Sequence, residues 1–335
     1  MQTFKGSAIA PSNIAFSKYW GKQDDELTLP INDSISMTLE GVFTHTTVEF
    51  SKDYKEDEVF LGDISNPISR VGGSKESRVV KHLSRLREIN STKLRAKVVS
   101  ANNFPTGAGV ASSASAFCAL TLALIDAFKM KLSQREQSVL TRLAGSGSAT
   151  RSVYGGFVQW LAAAHSEKSY ALQLYDEKYW DLVDLILIVS NKEKKHSTLF
   201  GHSIIKTSPI FELRKEQVEQ TNHQLKKALQ TKDFEMLGEA IEKEMFAFHS
   251  VAMTSQPSLL YWTGSTVEVM HEVRLLREQG IGVYMTLDAG PNPHLITTAD
   301  QADKIEAHFK KNPSVKKIYN CPVGKGAMVT NQHLF

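Results

Sequence analysis

One segment near the middle of the chain constrains the fold more than any other. A strand-like segment, residues 93–100, leads into a loop of small residues. An Ala-rich apolar segment, residues 110–128, leaves the loop and contains neither Pro nor Gly. Pro105 and Gly107 mark a turn, and Gly109 lets a backbone pass close to a bound group. The pattern predicts a strand, a tight loop and a buried helix, in that order.

The first turn of the predicted helix carries three hydroxyl groups, on Ser112, Ser113 and Ser115. The free N–H groups and the positive dipole end of a helix N-terminus favour an anion, most often a phosphate. A second interpretation stays open, because Gly, Ser and Ala at a helix start also form an ordinary turn and cap. The segment is neither a P-loop, which ends in Gly-Lys-Ser/Thr, nor a complete dinucleotide fingerprint, which needs a third Gly.

Length and composition indicate an ordinary globular protein. The 335 residues, 41% hydrophobic and 22% charged, favour two domains or one domain with a large second lobe. A net charge of +3 is too small to indicate nucleic-acid binding. We see no signal peptide, and no apolar run reaches the ~20 residues of a membrane span. Two cysteines, Cys118 and Cys321, make no disulfide framework. We therefore expect a cytoplasmic protein with neither nucleic acid nor membrane as partner.

Two lysines four residues apart, Lys18 and Lys22, flank two aromatic residues and a glycine. One interpretation is a strand end with solvated lysines. The other is the cationic wall of a pocket, because a lysine is a mobile point charge suited to phosphate or carboxylate. The sequence at this position leaves both open.

Two further sites combine small residues with one charge. A Gly-Ser run at residues 145–148 leads into Arg151, whose planar guanidinium suits a carboxylate held by two hydrogen bonds. Asp288 follows a predicted strand, residues 282–287, on a tight turn, and is either a turn residue or a carboxylate directed into a cleft. We interpret His294, in the next predicted strand, as structural.

Hydrophobic periodicity predicts most of the other elements. The predicted helices cover residues 74–89, 133–143 (with Ser133 and Glu136 as a capping box), 209–229, 232–250, 263–279 and 299–311. Residues 31–50 alternate well enough for two strands, and residues 185–189 form an apolar strand expected to be covered on both faces. The basic residues of the first helix are those of a solvated face: Lys75, Arg78, Lys81, Arg85 and Arg87.

Four segments resemble, in order along the chain, motifs of the diphosphomevalonate decarboxylases, a branch of the GHMP kinase superfamily. They are Lys18-Tyr19-Trp20-Gly21-Lys22, Asn102-Asn103-Phe104-Pro105-Thr106, Gly145-Ser146-Gly147-Ser148-Ala149-Thr150-Arg151-Ser152 and Asp288-Ala289-Gly290-Pro291-Asn292. Residues 105–114 also resemble the second GHMP motif, Pro-x-x-x-Gly-Leu-x-Ser-Ser-Ala, with Val110 in the Leu place. The first and third segments are specific to this branch, and the resemblance spans nearly the whole chain.

The resemblance implies an α+β protein with two lobes. Residues 1–185 would form an ATP-binding lobe like the ribosomal S5 domain 2 fold. Residues 186–335 would form a GHMP-type α+β sandwich, with the active site in the cleft between the lobes. The resemblance also implies a homodimer.

The resemblance further implies an ATP-dependent carboxy-lyase that converts (R)-5-diphosphomevalonate, a phosphorylated 3-hydroxy acid, to isopentenyl diphosphate, CO₂, ADP and phosphate. Asp288 would orient or deprotonate the 3-hydroxyl, Lys18 would neutralise nearby negative charge, and Arg151 would fix the carboxylate. Mg²⁺ would accompany ATP near Ser113, without a dedicated protein site. The implied substrate-binding residues are Tyr19, Lys22, Ser146, Ser148 and Ser197, and the implied phosphate-binding residues are Asn102, Pro105, Gly107, Gly109, Ser112 and Ser113.

One departure from the family pattern leaves the substrate open. Leu199 stands where bacterial members often carry an Arg, near the diphosphate arm. A decarboxylase of 5-phosphomevalonate, or a mevalonate 3-kinase that does not decarboxylate, therefore remains an alternative. A GHMP-fold binding or regulatory protein without activity is disfavoured, because Lys18, Arg151 and Asp288 are all retained.

Overall fold

The computed structural model describes residues 3–105, 110, 112–191 and 196–335. The strands are β1 (Phe4–Ala15), β2 (Lys22–Asp24), β3 (Leu29–Pro30), β4 (Ser34–Ser51), β5 (Glu58–Asp63), β6 (Asn66–Arg70), β7 (Arg95–Asn102), β8 (Phe157–Trp160), β9 (Ala171–Tyr175), β10 (Leu182–Ile188), β11 (Val283–Thr286), β12 (His294–Thr298), β13 (Lys317–Pro322) and β14 (Met328–Val329). The α-helices are α1 (Gly73–Ile89), α2 (Ser112–Ala127), α3 (Gln134–Arg142), α4 (Thr198–Ile204), α5 (Phe211–Thr231), α6 (Phe234–Thr254), α7 (Gly264–Glu278) and α8 (Ala299–Phe309). Short 3₁₀ helices lie at Gly147–Val153, Ser166–Lys168 and Ile205–Thr207. Among the described helices, none combines the length and the apolar character that crossing a membrane requires.

The larger sheet has eight strands. Its path is β14-β1-β4-β7-β5-β6, and β8 pairs with β4 and β9. Helices α1 and α2 cover one face, where the side chains of Ala8 on β1, Phe50 on β4 and Val98 on β7 are buried. Strand β1 comes closest to α2 at Gly6, where a Cβ atom would lie 2.3 Å from the carbonyl oxygen of Ala123. The small residue at this position is what lets the strand and the helix pack together.

The smaller sheet has four antiparallel strands in the order β11-β12-β10-β13. Strand β10 is buried along its whole length, as its apolar sequence predicts. Because successive side chains point to opposite faces, Val183, Leu185 and Leu187 pack in one core with α7 and α8, whereas Ile186 and Ile188 point to the other side.

The two sheets share the apolar core on that other side. Ile14 of β1 and Phe157 of β8 belong to the same buried cluster as Ile186 of β10, Leu225 of α5 and Ile241 of α6. Both halves of the chain therefore bury apolar side chains against each other as well as within themselves.

The predicted helices all form, and Ser133 and Glu136 make the predicted capping box of α3. The prediction of two strands over residues 31–50 is wrong, because β4 is one strand that continues through a bulge at residues 39–42. Gly41, with a φ of +84°, makes the bulge possible. A local pattern cannot distinguish such a bulge from a turn, since Glu40 and Gly41 at its centre are exposed in both.

Arg87 of α1 is not on the solvated face that the spacing of the basic residues predicts. Arg87 is buried, forms an ion pair with Asp57 and donates from Nε to the carbonyl oxygen of Leu94 at 2.9 Å. Asp57 also accepts a hydrogen bond from the backbone N–H of Ala96 at 2.9 Å. The partner of Arg87 lies 30 residues earlier in the chain, so the spacing within α1 could not indicate this pair.

Candidate active site

A cavity of about 420 Å³ lies where the two halves of the chain meet. The end of β1, the starts of α1 and α2, the 3₁₀ helix at Gly147–Val153, helix α4 and the loop after β11 all contribute to its walls. Many of the predicted site residues line it: Lys18, Tyr19, Lys22, Ser112, Ser113, Ser146, Ser148, Arg151, Ser197 and Asp288.

An ion pair between Lys18 and Asp288 lies in the cavity wall. Lys18 follows β1 and Asp288 follows β11, so the pair joins the two halves of the chain. The Nζ of Lys18 lies 2.9 Å from Oδ1 of Asp288 and donates to the carbonyl oxygen of Ala15 at 2.8 Å. The Lys18 side chain is 3% exposed and the Asp288 side chain 29%. The pair therefore presents an accessible carboxylate with a buried cation behind it.

Burial and neighbouring charges have opposite effects on the pKa values of this pair. Burial lowers the pKa of Lys18, and the carboxylate of Asp288 opposes that effect. Burial would raise the pKa of Asp288, but the charges of Lys18 and His294 outweigh it and hold that pKa below its ordinary value. Asp288 is therefore ionised at neutral pH.

His294 is a buried neighbour of the pair whose charge helps to keep Asp288 ionised. Its Nδ1 lies 2.6 Å from Oδ2 of Asp184, and both side chains are buried. Burial alone would lower the pKa of His294, but the carboxylates of Asp184 and Asp288 raise it. His294 is held in a buried pair, and its charge also interacts with that of Asp288.

Arg151 is held in the cavity wall by neutral partners. Its Nη1 donates to Oγ of Ser34 at 2.6 Å, and its Nε and Nη2 donate to Oδ1 of Asn13 at 3.3 and 3.2 Å. Asn13 is itself fixed, because its Nδ2 donates to Oγ of Ser152 at 2.8 Å. Burial lowers the pKa of Arg151 to about 10, so the guanidinium is a cation at neutral pH. With three of five N–H groups bonded, it keeps donors for a carboxylate in the cavity.

Tyr19 lines the cavity. Its ring packs against Trp160 and His202, with centroids 4.8 and 4.3 Å away. Its OH is buried and has no hydrogen-bond partner within the described residues, as expected of a group that binds a ligand. Gly147 allows this arrangement, since a Cβ there would lie 2.7 Å from the Tyr19 ring. His202, which the sequence did not single out, accepts a hydrogen bond from the N–H of Gly21 at 2.9 Å.

Four serines line the cavity, and the hydroxyl groups of three of them lie close together. Ser113 at the start of α2 lies 3.5 Å from Ser146, and Ser146 lies 3.4 Å from Ser148, all measured between Oγ atoms. Ser112, which precedes Ser113, also lines the cavity. Hydroxyl oxygens at a helix N-terminus suit phosphate oxygens, and together with the carboxylate of Asp288 they are ligands that Mg²⁺ accepts.

The rim of the cavity carries the residues assigned to the phosphate arm of the substrate. Lys22 forms an ion pair with Asp25 at 3.0 Å. Ser197 caps α4 by accepting a hydrogen bond from the N–H of Phe200 at 3.1 Å, so its own hydroxyl proton can be donated elsewhere. Leu199 also lines the cavity and is 41% exposed.

Two basic residues of α1 line the cavity although their spacing suggested a solvated face. They are Lys75 and Arg78. Arg78 donates from Nη2 to the carbonyl oxygen of Gly145 at 3.0 Å, and its guanidinium lies over the ring of Phe117 at 4.4 Å. Their position in the first turns of α1, after two glycines, was the available signal.

Several of the predicted phosphate-binding residues lie elsewhere or cannot be described. Gly107 and Gly109 lie outside the described residues. Asn102 and Pro105 are not among the described residues that line the cavity. Asn102 instead ends β7 and accepts a hydrogen bond from Oγ1 of Thr44 at 2.7 Å. Roles for these four residues in phosphate binding stay predictions.

Comparison with known proteins covers nearly the whole chain. Residues 10–171 match the family described as diphosphomevalonate decarboxylase-like N-terminal domain. Residues 184–330 match the mevalonate 5-diphosphate decarboxylase C-terminal domain. The chain belongs to the diphosphomevalonate decarboxylase family. The diphosphomevalonate decarboxylase of Candida albicans is 32% identical over 338 residues, which cover 94% of this chain and 91% of that protein. The human diphosphomevalonate decarboxylase is 34% identical over 313 residues, covering 88% and 77%.

Solved structures of the family share the fold. Mevalonate diphosphate decarboxylase from Staphylococcus aureus has a TM-score of 0.92 and 33% identity, and the match covers 98% of both chains. A structure described as MDDEF in complex with MVAPP, AMPPCP and magnesium has a TM-score of 0.92 and 34% identity, covering 98% of this chain and 99% of that one. The diphosphomevalonate decarboxylase resemblance and the mixed α/β fold of GHMP type are therefore confirmed.

Proposed function

We propose that this chain catalyses the ATP-dependent decarboxylation of (R)-5-diphosphomevalonate to isopentenyl diphosphate, CO₂, ADP and phosphate. The observation that carries the proposal is the meeting of Lys18, Asp288 and Arg151 in one cavity, although they lie up to 270 residues apart in the chain. A carboxylate for a hydroxyl and a guanidinium for a carboxylate match the two reacting groups of a 3-hydroxy acid.

Each charged residue has a distinct role in the proposed mechanism. The tertiary 3-hydroxyl is a poor leaving group, and transfer of the γ-phosphoryl group of ATP makes it a good one. Ionised Asp288 accepts the hydrogen bond of this hydroxyl, orients its oxygen and takes its proton as the O–P bond forms. Lys18 stabilises Asp288 in its charged form. Arg151 holds the substrate carboxylate in line for C–C cleavage while positive charge develops at C3.

The remaining cavity residues are proposed to hold the phosphate chains of ATP and of the substrate. Ser112 and Ser113 would bind ATP phosphates at the start of α2, and their oxygens would also hold Mg²⁺, which neutralises phosphate charge when bound. Ser146 and Ser148, whose Oγ atoms follow on from that of Ser113, would bind the substrate. Lys22, Tyr19 and Ser197 would bind the phosphorylated arm of the substrate.

Leu199 supports a second candidate substrate. An exposed leucine at the rim of the cavity supplies no hydrogen bond to a second phosphate group. A decarboxylase of 5-phosphomevalonate would need only the donors of Lys22, Tyr19 and Ser197 at this end. We rank it below the diphosphate because the family members that match the chain carry the diphosphomevalonate decarboxylase name.

The deciding experiment measures ADP release and trapped CO₂ with Mg-ATP, in parallel on mevalonate, 5-phosphomevalonate and 5-diphosphomevalonate. Equal amounts of ADP and CO₂ from the diphosphate alone are expected. The same yield from the monophosphate would move the assignment to the second candidate. ADP without CO₂ would indicate a 3-kinase, and neither product from any substrate would contradict both candidate functions.

We further propose a cytoplasmic homodimer with two lobes, residues 1–185 and 186–335. Two buried free thiols, Cys118 and Cys321, are consistent with a reducing compartment. The family resemblance supports the homodimer. Light scattering coupled to size-exclusion chromatography would test it, with a mass near twice the 37.3 kDa of the chain as the expected value.

A further inference from the structure

The peptide groups on both sides of Lys18 are bonded by a pair of buried charges. Its backbone N–H donates to Oε1 of Glu244 at 3.0 Å. Its carbonyl oxygen accepts a hydrogen bond from Nη2 of Arg214 at 2.9 Å. Arg214 lies on α5 and Glu244 on α6, whereas Lys18 follows β1. Two helices from the second half of the chain therefore hold the main chain of a residue from the first.

Arg214 and Glu244 are also bonded to each other, and almost no water reaches them. The Nη2 of Arg214 donates to Oε1 of Glu244, and their side chains are 3% and 0% exposed. Oε2 of Glu244 and Nε of Arg214 have no hydrogen-bond partner within the described residues. A buried ion pair with unsatisfied atoms contributes little net stability, because desolvation offsets the attraction between the charges. Stability alone therefore does not account for these two residues.

The geometry connects the pair to the reacting end of Lys18. With its peptide groups fixed, Lys18 reaches the carbonyl oxygen of Ala15 and Oδ1 of Asp288 with its ammonium group. We propose that Arg214 and Glu244 position Lys18 for catalysis, by fixing its main chain and by placing a negative charge close to it. The proposal rests on the function proposed above, and both residues act through Lys18 rather than on the substrate.

The charge of Glu244 supports the electrostatic half of the proposal. Burial lowers the pKa of Lys18, and the carboxylate of Asp288 counters this most strongly. Glu244 adds a further attraction that raises the same pKa. Removing that charge should make Lys18 lose its proton at a lower pH.

The chain contains a matched control two residues away on α6. Glu242 also accepts hydrogen bonds from an arginine and from a backbone N–H, those of Arg277 at 2.6 Å and Met285 at 3.0 Å. It does not line the cavity or touch Lys18. Glu242→Gln and Glu244→Gln therefore make the same chemical change in the same helix, and only the second reaches Lys18.

The test compares kcat, KM for ATP and the pH profile of kcat in these two variants and the wild type. In Glu244→Gln we expect kcat to fall about 10- to 100-fold, the cost of misplacing a catalytic group, with KM for ATP little changed. The alkaline limb of the profile should move to lower pH. Glu242→Gln should keep kcat within about twofold of wild type, which is the scatter expected of a change remote from the reacting groups.

Arg214→Lys separates the effect of fixing the Lys18 main chain from the effect of the Glu244 charge. It also provides a second test if Glu244→Gln does not fold. It keeps the cation but cannot bond Glu244 and the Lys18 carbonyl with one planar group, so kcat should fall while the alkaline limb stays in place. The proposal would be overturned if Glu244→Gln and Arg214→Lys both had the same kcat as Glu242→Gln.

A measurement without turnover keeps this proposal separate from the proposed function. The pKa of Lys18, followed by NMR of its labelled side chain, should be lower in Glu244→Gln than in Glu242→Gln even if no substrate reacts. If the enzyme is active and the pKa of Lys18 is the same in Glu244→Gln and Glu242→Gln, the inference is contradicted. A lowered pKa in a protein that turns over none of the three substrates contradicts only the proposed function.

Discussion

Asp288 is the only carboxylate among the described residues that line the cavity, and its partners define its chemistry. The charges of Lys18 and His294 hold its pKa below the ordinary value despite burial. A carboxylate with a low pKa is a weak base towards a free alcohol. It becomes effective when the hydroxyl grows acidic during bond formation to phosphorus. Orientation of the hydroxyl is therefore as much its role as removal of the proton.

Asp288→Asn tests this assignment. The amide keeps the size of the side chain but cannot take a proton, so we expect turnover to fall at least about 10²- to 10⁴-fold. Binding of Mg-ATP, measured by calorimetry, should be largely unchanged. Asp300→Asn, a change in an exposed carboxylate outside the cavity, serves as control. An Asp288→Asn enzyme with most of its activity would show that another group acts on the hydroxyl.

The sequence indicates the residues proposed to contact the substrate better than the residues that position them. Lys18, Arg151 and Asp288 lie in short motifs of unusual composition, which made them visible. Glu244 and Arg214 lie in long helices rich in charges, where a buried charge has the same spacing as a solvated one. Only the packing of α5 and α6 against the end of β1 distinguishes the two cases, and no local pattern encodes that packing.

Within the smaller sheet, strands β10 and β12 are joined by the contact between Asp184 and His294. The raised pKa of His294 has a defined consequence for stability. The contribution of its charge is complete below the ordinary pKa of 6.5 and is lost as the pH rises through the folded-state value.

Asp184→Asn should reverse this pH dependence. Burial is already the largest single influence on the pKa of His294, and the variant removes the Asp184 charge that opposes it, so this pKa should fall below 6.5. The variant should then lose stability as the pH falls below that value, since its unfolded state binds more protons. Imidazole NMR titration and urea unfolding at about pH 5.5 and about pH 7.5 measure both effects. His82, which is buried with a pKa of about 3, is an internal control. A His294 that still titrates above 6.5 would show that Asp184 is not the cause.

The packing of β1 on α2 gives a second prediction at this scale. A Cβ at Gly6 would lie 2.3 Å from backbone atoms of both Ala123 and Ala127, and backbone atoms of a helix cannot move aside as a side chain can. We expect Gly6→Ala to lower the free energy of unfolding by about 1–3 kcal/mol or more, measured by urea unfolding. Gly264→Ala is the control, because its Cβ would meet nothing within 4 Å. Equal stability of the two variants would refute this account of the packing.

Elements with one dominant pattern were predicted well. The apolar helix α2 and the buried strand β10 have sequences that few other structures could accommodate. The sequence predicts two strands in place of β4, because the exposed pair Glu40 and Gly41 looks like a turn when the partner strands are not known. Helix α4 was missed, since its seven residues are too few to show a period.

At the scale of the whole molecule, the shared core decides how the two halves behave. Ile14 and Phe157 from the first half are buried with Ile186, Leu225 and Ile241 from the second. Neither half can expose this surface without losing apolar burial on both sides. The two sheets, although each has its own helices, are therefore expected to unfold together.

Scanning calorimetry tests this expectation. We predict one thermal transition with calorimetric and van't Hoff enthalpies that agree. Two resolved transitions would show that the halves are independently stable. Glu242→Gln, which perturbs only contacts within the second half, should shift the single transition without splitting it.

The hydrogen bonds from α5 and α6 to the main chain of Lys18 also have a consequence during protein synthesis. The first half of the chain, with the serines of α2, leaves the ribosome well before residues 211–288. Until those later residues arrive, the main chain of Lys18 lacks Arg214 and Glu244, and its ammonium group lacks Asp288. A nascent or partly assembled molecule would therefore lack a competent centre, so ATP would not be consumed before the protein is complete.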